Sequence, residues 1–283
     1  MRAWIGTGAN GELVDVGEAR VSAFDHGFTV GDGIFETMKL QAGRIFLWPW
    51  HLERLHASAA AMELALPDDD VLDAVVRSVA AVNVGDLPAL ARLRLTISAG
   101  LGPLGSARDA VGPTVTCAAS PMQLREGAAA VHVATWPRNE RSPLAGVKST
   151  SYAENVLALA HATRLGAAEA LFFNTRDELC EGTGSNVFIV RDGRALTPPR
   201  SAGLLAGVTR RFVLGVSGAG IAVEEAPIAR STFEGADEVF LTSTFQDVRA
   251  VLRVDEREQR TGPVTAELQR RFRVAADAEW CWS

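Results

Sequence analysis

The chain has 283 residues, of which 47% are hydrophobic and 22% are charged, and its formal net charge at pH 7 is −6. This length predicts two domains or one large α/β unit, and the composition is typical of a folded globular enzyme. The negative charge, without any run of basic residues, argues against a nucleic-acid partner, and the apolar stretches are too short to cross a membrane.

The start of the chain and its cysteines predict the reducing cytoplasm as the compartment. No apolar stretch of the kind that directs secretion follows Met1. The three cysteines, Cys117, Cys180 and Cys281, are odd in number and widely spaced, so they predict no disulfide framework. Neither they nor the five histidines show the spacing of metal ligands, so no metal site is expected.

The first part of the chain predicts a small α+β unit. Alternating apolar residues favour two hairpins, with turns at Asn10-Gly11 and Ala42-Gly43, followed by two amphipathic helices and two further strands. The predicted strands are residues 3–5, 12–14, 35–40, 44–47, 92–98 and 114–118, and the predicted helices are residues 51–64 and 70–82. A polar stretch at residues 119–126 predicts a linker, which divides the chain into domains at residues 1–120 and 121–283.

Strands dominate the second part of the chain, with helices between them. The predicted strands are residues 128–135, 169–173, 186–190, 221–224, 238–241 and 249–253. The predicted helices are residues 152–165, 209–214 and 263–276. No repeat or low-complexity segment interrupts this pattern, so it predicts one larger α+β unit.

Lysine is scarce in this chain: only Lys39 and Lys148 occur among 28 basic residues. A lysine amine can form a Schiff base with an aldehyde cofactor, whereas the permanently charged arginine cannot act as a neutral nucleophile. Lys148 lies in the segment 146–155, which reads Gly-Val-Lys-Ser-Thr-Ser-Tyr-Ala-Glu-Asn. Lys39 has no comparable surroundings, and we expect it on a strand near the mouth of a pocket.

Four other segments carry residues suited to a phosphorylated pyridine aldehyde. They are the glycine-punctuated stretch 25–37, the helix start 51–55, the loop 179–188 and the stretch 205–210, where free N–H groups at a helix start favour anions. Arg54 lies off the apolar stripe of its helix, so it could either face solvent or reach a buried anion. Glu181 places one carboxylate among small residues before a strand.

These segments, in this order, resemble the class IV family of pyridoxal-phosphate enzymes, which contains branched-chain aminotransferases, D-amino-acid aminotransferases and aminodeoxychorismate lyase. The resemblance covers residues 10–253 and includes the strand 237–244. It implies a two-domain class IV fold: a small α+β domain and a larger domain with a barrel-like β-sheet. It further implies pyridoxal 5′-phosphate in the cleft between the domains, and a homodimer in which a neighbour's loop closes the pocket.

The resemblance also implies a role for each matched residue. Lys148 would form the Schiff base with the cofactor and then move a proton at the substrate Cα. Glu181 would face the pyridine nitrogen and keep it protonated, while Leu205 would pack on the ring. Arg54 would bind the phosphate. The other cofactor-binding residues that the resemblance implies are Thr183, Ser185, Asn186, Val208, Thr209 and Thr244.

The residues that would face the substrate favour different members of the family. Thr37 resembles the lyases, in which a hydroxyl at this place can assist proton delivery, whereas branched-chain enzymes usually have glycine there. The loop 98–105 lacks the arginines that lyases and D-amino-acid enzymes carry. Arg94 is then the best partner for a substrate carboxylate, although a surface position on its strand fits the pattern equally well. Phe35 and Phe245 complete the predicted substrate contacts.

We therefore predict an aminotransferase that moves an amino group between an amino acid and a 2-oxo acid. The alternative is aminodeoxychorismate lyase, which releases 4-aminobenzoate and pyruvate. The accepted side chain, its L or D configuration and the arginine that holds the carboxylate stay open. A dinucleotide site at residues 100–105 is disfavoured because Pro103 interrupts the glycine pattern. A non-catalytic binding module would be expected to lack Lys148 or Glu181, and both are present.

Overall fold

The computed structural model describes residues 1–108, 112–125, 127–216, 218 and 220–282, without the side chains of residues 280–282. The chain divides into two compact units. The first contains Met1–Gln123 and Val147–Tyr152, and the second contains Leu124–Gly146 and Ala153–Cys281. Within the described part of the chain, no helix is long and apolar enough to cross a membrane.

The first unit is built on a six-stranded sheet with the strand order β2-β1-β6-β5-β3-β4. Its strands are β1 (Arg2–Thr7), β2 (Asn10–Asp15), β3 (Gly33–Gln41), β4 (Arg44–Ile45), β5 (Leu90–Ser98) and β6 (Thr114–Pro121). Its helices are α1 (His26–Thr29), α2 (Trp48–Ala61) and α3 (Asp69–Val82). All pairs in this sheet are antiparallel, as expected of hairpin-connected strands.

One face of this sheet forms the core of the first unit with α2 and α3. Period-two alternation sends Leu93, Leu95 and Ile97 of β5 to this face, and all three are fully buried. They pack with apolar side chains such as Leu55 of α2 and Val76 of α3. The side chains on the opposite face of β3 and β5 are therefore not part of this core.

Residues 147–152, although distant in sequence, belong to the first unit because they bind along β3. Ile34 and Ser149 form an antiparallel bridge, and the Thr150 N–H donates to the Gly33 carbonyl at 2.7 Å. The predicted domain range 121–283 would have placed this segment with the second unit. Sequence distance could not reveal the pairing, because these hydrogen bonds form between segments more than 100 residues apart.

The second unit contains nine strands, eight of them in the order β12-β11-β10-β13-β14-β7-β8-β9, with β15 pairing with β14. The strands are β7 (Ala129–Val133), β8 (Glu169–Phe173), β9 (Leu179–Gly182), β10 (Asn186–Arg191), β11 (Arg194–Thr197), β12 (Val223–Glu225), β13 (Glu238–Ser243), β14 (Asp247–Val254) and β15 (Arg257–Glu258). The helices are α4 (Ala153–Arg164), α5 (Val208–Gly215), α6 (Arg230–Glu234) and α7 (Pro263–Trp282). β9 lies at one edge of this order, and β10 is third from the opposite edge. Only residues 183–185 connect these two strands, so the sheet must curl back on itself.

Several short elements differ from the prediction. β9, β11, β15, α1 and α6 were not predicted, because two to five residues are too few to show a period. Glu181, expected in a loop, lies in β9. The helix predicted at residues 51–64 is α2, which begins at Trp48 with Pro49 in its first turn and ends before Glu63, whose φ is 52°.

The cysteines described here are free thiols in the interior. Cys117 lies in the core of the first unit and Cys180 in the second, and neither forms a disulfide. Burial raises the pKa of both thiols well above the ordinary value. They are therefore inert core residues. The side chain of Cys281 lies outside the described part of the chain.

Candidate active site

Lys148 is fixed by backbone contacts beside the start of β3. Its carbonyl oxygen accepts a hydrogen bond from the Phe35 N–H at 2.9 Å, and its own N–H donates to the Ser58 hydroxyl at 3.3 Å. The Lys148 amine lies 4.4 Å from the centre of the Phe35 ring. Tyr152 packs edge-to-face on that ring, with 5.7 Å between the ring centres. The half-buried Lys148 amine therefore lies on the sheet face that carries Phe35.

The face of β3 and β5 opposite the core is polar and cationic. The antiparallel register pairs Thr37 with Arg94 and Lys39 with Arg92. Alternation along β3 puts Thr37 and Lys39 on the same face as Phe35. Both Thr37 and Lys39 are buried, and both make contacts with neighbouring groups. On this face, β3 and β5 therefore contribute an aromatic ring, the hydroxyls of Thr37 and Thr96 and three cations, Lys39, Arg92 and Arg94.

The cationic groups of Arg94 and Lys148 both lie close to the Phe35 ring. Its guanidinium carbon lies 3.7 Å from the ring centre, and its Nε donates to the Thr96 hydroxyl at 3.2 Å. Burial lowers the pKa of Arg94; the neighbouring Tyr152 opposes this shift, and the charge of Arg92 adds to it. Arg94 is an exposed residue of β5 whose guanidinium stacks on Phe35, and its contact with a substrate carboxylate stays a prediction.

Arg54 reaches a buried anion, which is the carboxylate of Glu36. The Arg54 Nε and Nη2 donate to the two oxygens of Glu36 at 2.8 and 2.6 Å. The His51 Nδ1 lies 2.7 Å from the same carboxylate and donates to it. Glu36 occupies a core-facing position of β3 and is fully buried. The cluster Glu36–His51–Arg54 therefore fixes the direction of the Arg54 guanidinium.

Burial and the neighbouring charges in this cluster shift the pKa values of Glu36 and His51. Burial opposes ionisation of Glu36, but Arg54 and His51 outweigh it and lower the pKa of Glu36 from 4.5 to about 2. Burial lowers the pKa of His51, and the charges of Arg54 and Lys148 act in the same direction, while Glu36 opposes them. At neutral pH the cluster therefore contains an ionised Glu36, a neutral His51 and a charged Arg54.

In the second unit, Asn186 holds Glu181 and Leu205 together. The Glu181 Oε2 accepts the Leu205 N–H at 2.9 Å, and the Asn186 amide donates to the Leu205 carbonyl at 2.8 Å. The same amide lies 3.5 Å from Glu181 Oε2. A Cβ on Gly207 would lie only 1.9 Å from the Asn186 Oδ1, so a side chain at position 207 has no room. Glu181 is thus a half-buried carboxylate held in one orientation beside an apolar side chain.

The loop between β9 and β10 is organised by Glu169, a buried carboxylate of β8. Glu169 accepts the Ser185 hydroxyl at 3.0 Å and the Thr183 N–H at 3.0 Å, and also the Thr183 hydroxyl. The Asn155 amide binds the Thr183 carbonyl at 2.7 Å. The two hydroxyls therefore hold the loop that follows Glu181 and β9, and a contact of Thr183 or Ser185 with a cofactor stays a prediction.

Two further groups of predicted cofactor-binding residues lie in the second unit. α5 begins at Val208 and Thr209 after Gly207, which has no side chain to cap the first N–H groups. Thr244 and Phe245 lie in the tight turn between β13 and β14, where the Phe245 N–H donates to the Ser243 hydroxyl at 3.3 Å. A helix start and a hydroxyl-bearing turn are both suited to bind phosphate oxygens.

Comparisons with known proteins agree on one family. The family model described as amino-transferase class IV matches residues 33–254. A protein of Methanocaldococcus jannaschii, provisionally named a branched-chain-amino-acid aminotransferase, is 34% identical over 276 residues, covering 93% of this chain and 94% of that one. Aminodeoxychorismate lyase of Bacillus subtilis is 30% identical over 274 residues, covering 92% and 91%.

Solved structures also match along nearly the whole chain. The branched-chain aminotransferase of Thermoproteus uzoniensis, solved with norvaline, has a TM-score of 0.89 at 27% identity and covers 99% of this chain and 95% of its own. These similarities confirm the predicted α+β fold and define an enzyme of the transaminase type. The chain belongs to the class IV aminotransferase family, as its sequence motifs predicted.

Three residues that organise these sites were not found from the sequence. Glu36 and His51 orient Arg54, and Glu169 holds the loop that follows the strand of Glu181. One signal was present for Glu36, since a carboxylate at a core-facing strand position requires a charged partner in the interior. No local sequence pattern marks His51 or Glu169 as an organising residue, because their partners belong to other elements.

Proposed function

We propose that this protein is a pyridoxal-phosphate-dependent transaminase that moves an amino group between an amino acid and a 2-oxo acid. The observation that carries the proposal is the placement of Lys148. Its amine lies 4.4 Å from the centre of the Phe35 ring, and the guanidinium of Arg94, which is suited to bind a carboxylate, lies 3.7 Å from the same centre. An amino-acid substrate requires a reactive amine to hold the cofactor and a cation to bind the substrate carboxylate, and this site has both groups.

The side chains of the second unit have the chemistry to bind such a cofactor. Hydrogen bonds join Glu181, Leu205 and Asn186, and the start of α5 follows Leu205 by three residues. A pyridine nitrogen pairs with a carboxylate, an aromatic ring with an apolar side chain, and a phosphate with backbone N–H groups. The residues present therefore match the three parts of pyridoxal phosphate.

We assign the cofactor contacts as follows. Lys148 would hold the aldehyde carbon covalently, and Glu181 would keep the pyridine nitrogen protonated, with Leu205 against the ring. The residues assigned to the phosphate are Arg54, Val208, Thr209 and Thr244. Glu36 and His51 would act on the phosphate contact indirectly, because they orient Arg54.

The bound cofactor supplies an electron sink for bond cleavage at the substrate Cα. The protein's own part is then to bind, orient and move a proton. Arg94 would hold the substrate carboxylate, with Phe35 and Phe245 lining the side-chain site. Lys148 would act as the base that moves a proton at the substrate Cα.

A change of Glu181 to Gln is expected to retain the cofactor but lower kcat about 100-fold, because an uncharged partner no longer stabilises the protonated ring nitrogen. Visible absorbance measures cofactor retention, and steady-state kinetics measure kcat. Glu224→Gln is the control, since Glu224 is an exposed carboxylate of the same unit paired with Arg194. Full activity in Glu181→Gln would contradict the assigned role.

The transaminase and lyase reactions can be separated in one pair of assays. Aminodeoxychorismate is supplied while 4-aminobenzoate is measured, and a panel of L- and D-amino acids is supplied with 2-oxoglutarate or pyruvate. We expect amino transfer, with aminodeoxychorismate left intact. Rapid 4-aminobenzoate release without amino transfer would reverse this assignment.

Thr37→Val tests the lyase alternative further. Thr37 lies beside Arg94 in the sheet register, where its hydroxyl could deliver a proton to a leaving product. We expect this variant to keep amino transfer within about threefold, because Lys148 already supplies the proton transfer. A loss of activity by about 100-fold would show that the hydroxyl takes part in the main reaction.

We also propose that the protein is a homodimer that functions in a reducing compartment such as the cytoplasm. Exposed apolar side chains on two neighbouring segments support the dimer; the segments are joined because the Gly102 N–H donates to the Phe24 carbonyl and Asp25 pairs with Leu101. These side chains are Phe24, Phe28, Val30, Leu101 and Leu104. The free buried thiols support the reducing compartment.

Phe28→Glu is expected to shift the protein from dimer to monomer, because Phe28 is 75% exposed and a charge there would be desolvated in the interface. Light scattering after size-exclusion chromatography measures the mass. Val274→Glu, at an exposed position of α7, is the control. A monomeric unmodified protein, or a dimeric Phe28→Glu variant, would contradict this interface.

A further inference from the structure

A cavity of about 530 Å³ lies within the second unit, between α7 and the ends at which β7 and β14 begin. Its volume is typical of sites that bind small molecules. Val248 and Phe272 contribute apolar side chains to its wall. None of its described lining residues is among those assigned above to the cofactor or the substrate. The cavity is therefore a separate feature of the second unit.

The charged residues of the lining are three arginines and one aspartate. They are Arg125, Arg249, Arg273 and Asp247. Within the described part of the chain, the side-chain hydrogen bonds of the three arginines all go to carbonyl or amide oxygens, and none goes to a carboxylate. The lining therefore carries two more positive charges than negative ones, and its arginines keep donors for a further acceptor.

The guanidinium of Arg249 is held in one direction by neutral acceptors. Its Nε donates to the Gly127 carbonyl at 3.0 Å, and its Nη2 donates to the Ala128 carbonyl at 3.4 Å. Its Nη1 donates to the amide oxygen of Gln246 at 3.2 Å. A cation that is already oriented loses little conformational freedom when an anion binds to it.

Two of these arginines repel each other. Burial lowers the pKa of Arg249, and the positive charge of Arg125 lowers it further, while Glu169 acts in the opposite direction. An anion bound between Arg125 and Arg249 would offset this repulsion. The electrostatics of the cavity therefore favour a negatively charged occupant.

Gln246 adds a neutral donor to the same lining. Its side chain is only 7% exposed, and its amide oxygen accepts the hydrogen bond from Arg249. Among the described residues, its amide nitrogen has no acceptor. A nearly buried amide N–H without an acceptor costs free energy, so an anion oxygen in the cavity would gain a hydrogen bond there.

The cavity adjoins the turn between β13 and β14. The Arg125 N–H donates to the Phe245 carbonyl at 3.2 Å, and Gln246 directly follows Phe245 in the chain. The groups that would bind an anion are thus joined to this turn by one hydrogen bond and one peptide bond. A bound anion would therefore restrict the motion of the turn.

We propose that this cavity is a second anion site of the protein, which binds a small organic dianion through Arg125, Arg249 and Arg273. A dicarboxylate and a phosphate monoester both carry the two negative charges that the lining lacks, and both present oxygens that fit a guanidinium fork. The apolar side chains of Val248 and Phe272 suit the carbon part of such a molecule. The proposal does not depend on the transaminase function and stands or falls separately.

Titration calorimetry on the holoenzyme at pH 8, in a chloride buffer, supplies the first measurement. The probes are glycerol 3-phosphate, succinate and acetate. We expect at least one of the two dianions to bind with a Kd below about 1 mM, and acetate to bind at least about tenfold more weakly. The dianion that binds more tightly identifies the ligand as a phosphate monoester or a dicarboxylate.

Substitutions of the arginines test whether the dianion occupies this cavity. Arg249→Met, Arg125→Met and Arg273→Met should each weaken the binding at least about fivefold. Arg125 and Arg273 are exposed, so their variants keep the test available if Arg249→Met does not fold. Arg194→Met is the matched control, because Arg194 is an exposed arginine of the same unit that pairs with Glu224, and it should leave the affinity unchanged.

Glu126→Gln tests whether the chain itself supplies the counter-charge. Glu126 follows Arg125 directly in the sequence and lies outside the described part of the chain. We expect this variant to bind the dianion within about threefold of the unmodified protein. Binding that appears only in Glu126→Gln would show that the arginines already have an anionic partner, and the proposal would be wrong.

Hydrogen–deuterium exchange locates the bound dianion without any measurement of activity. We expect slower exchange of the amides of residues 127–128 and 243–250 in the presence of the tighter-binding probe. Three results would overturn the proposal: neither dianion binds, acetate binds as tightly, or the affinity is unchanged in the arginine variants. Failure of amino transfer would contradict the proposed function alone, since none of these measurements requires a reaction.

Discussion

Replacing Lys148 with alanine is expected to abolish the visible absorbance of the purified protein and to lower its activity by at least about 1,000-fold. The reason is chemical: Lys148 would supply both the covalent attachment of the cofactor and the base at the substrate Cα. Its amine lies 4.4 Å from the Phe35 ring and near enough to the Glu36–His51–Arg54 cluster to influence the pKa of His51.

The chain offers a matched control, because Lys39 is its only other lysine. Lys39→Arg keeps the positive charge but has no amine that can react with an aldehyde, and we expect it to keep the absorbance. Borohydride reduction followed by peptide mapping should place the cofactor label on Lys148. A label on Lys39, or absorbance that survives in Lys148→Ala, would refute the assignment.

Glu36→Gln is expected to lower the free energy of unfolding by about 3–5 kcal/mol at pH 7, because it leaves Arg54 without its buried partner. Urea denaturation monitored by fluorescence measures the change. Asp73→Asn is the control: it breaks an exposed ion pair with Arg77 in the same unit, and we expect a change below about 1 kcal/mol. The variant should also bind cofactor more weakly, since Arg54 loses its fixed direction.

The pH dependence of this difference follows from the direction of the shift. The pKa of Glu36 is lowered from 4.5 to about 2, so its stabilisation is fully present above pH 4.5 and is lost as the pH falls towards 2. The difference between the unmodified protein and Glu36→Gln should therefore shrink below pH 4.5. A difference that stays constant from pH 7 to pH 3 would show that the carboxylate charge is not the cause.

His51 adds to the acid sensitivity of the unmodified protein. Its pKa is lowered from 6.5, so below that pH the unfolded chain binds more protons than the folded one, and stability falls with the pH. The two groups act in the same direction but in different ranges, with His51 beginning below pH 6.5 and Glu36 below pH 4.5.

Elements with a strong local pattern could be predicted from the sequence. β8 has the predicted bounds, residues 169–173, because it follows Gly166 and is rich in apolar and aromatic residues. The core face of β5 also follows from alternation alone. The family, and with it the fold, was predicted from motifs whose residues react or bind, such as the segment of Lys148.

Contacts between distant segments could not be predicted in this way. The pairing of residues 148–150 with the start of β3 joins positions more than 100 residues apart, and no local period encodes it. The same holds for Glu169, whose position in an apolar strand does not reveal that two hydroxyls of the next loop bind it. Short strands such as β9 form only because neighbours bind them, since four residues carry too little pattern of their own.

The alternation of β3 has a consequence for altering this enzyme. Phe35, Thr37 and Lys39 point to one side of the sheet, and Ile34, Glu36 and Met38 point to the other. Randomising the odd-numbered positions in a directed-evolution library should therefore diversify substrate choice while most members still fold. Randomising the even-numbered positions should mainly yield insoluble protein, so a library that treats residues 34–39 as one block would waste most of its members.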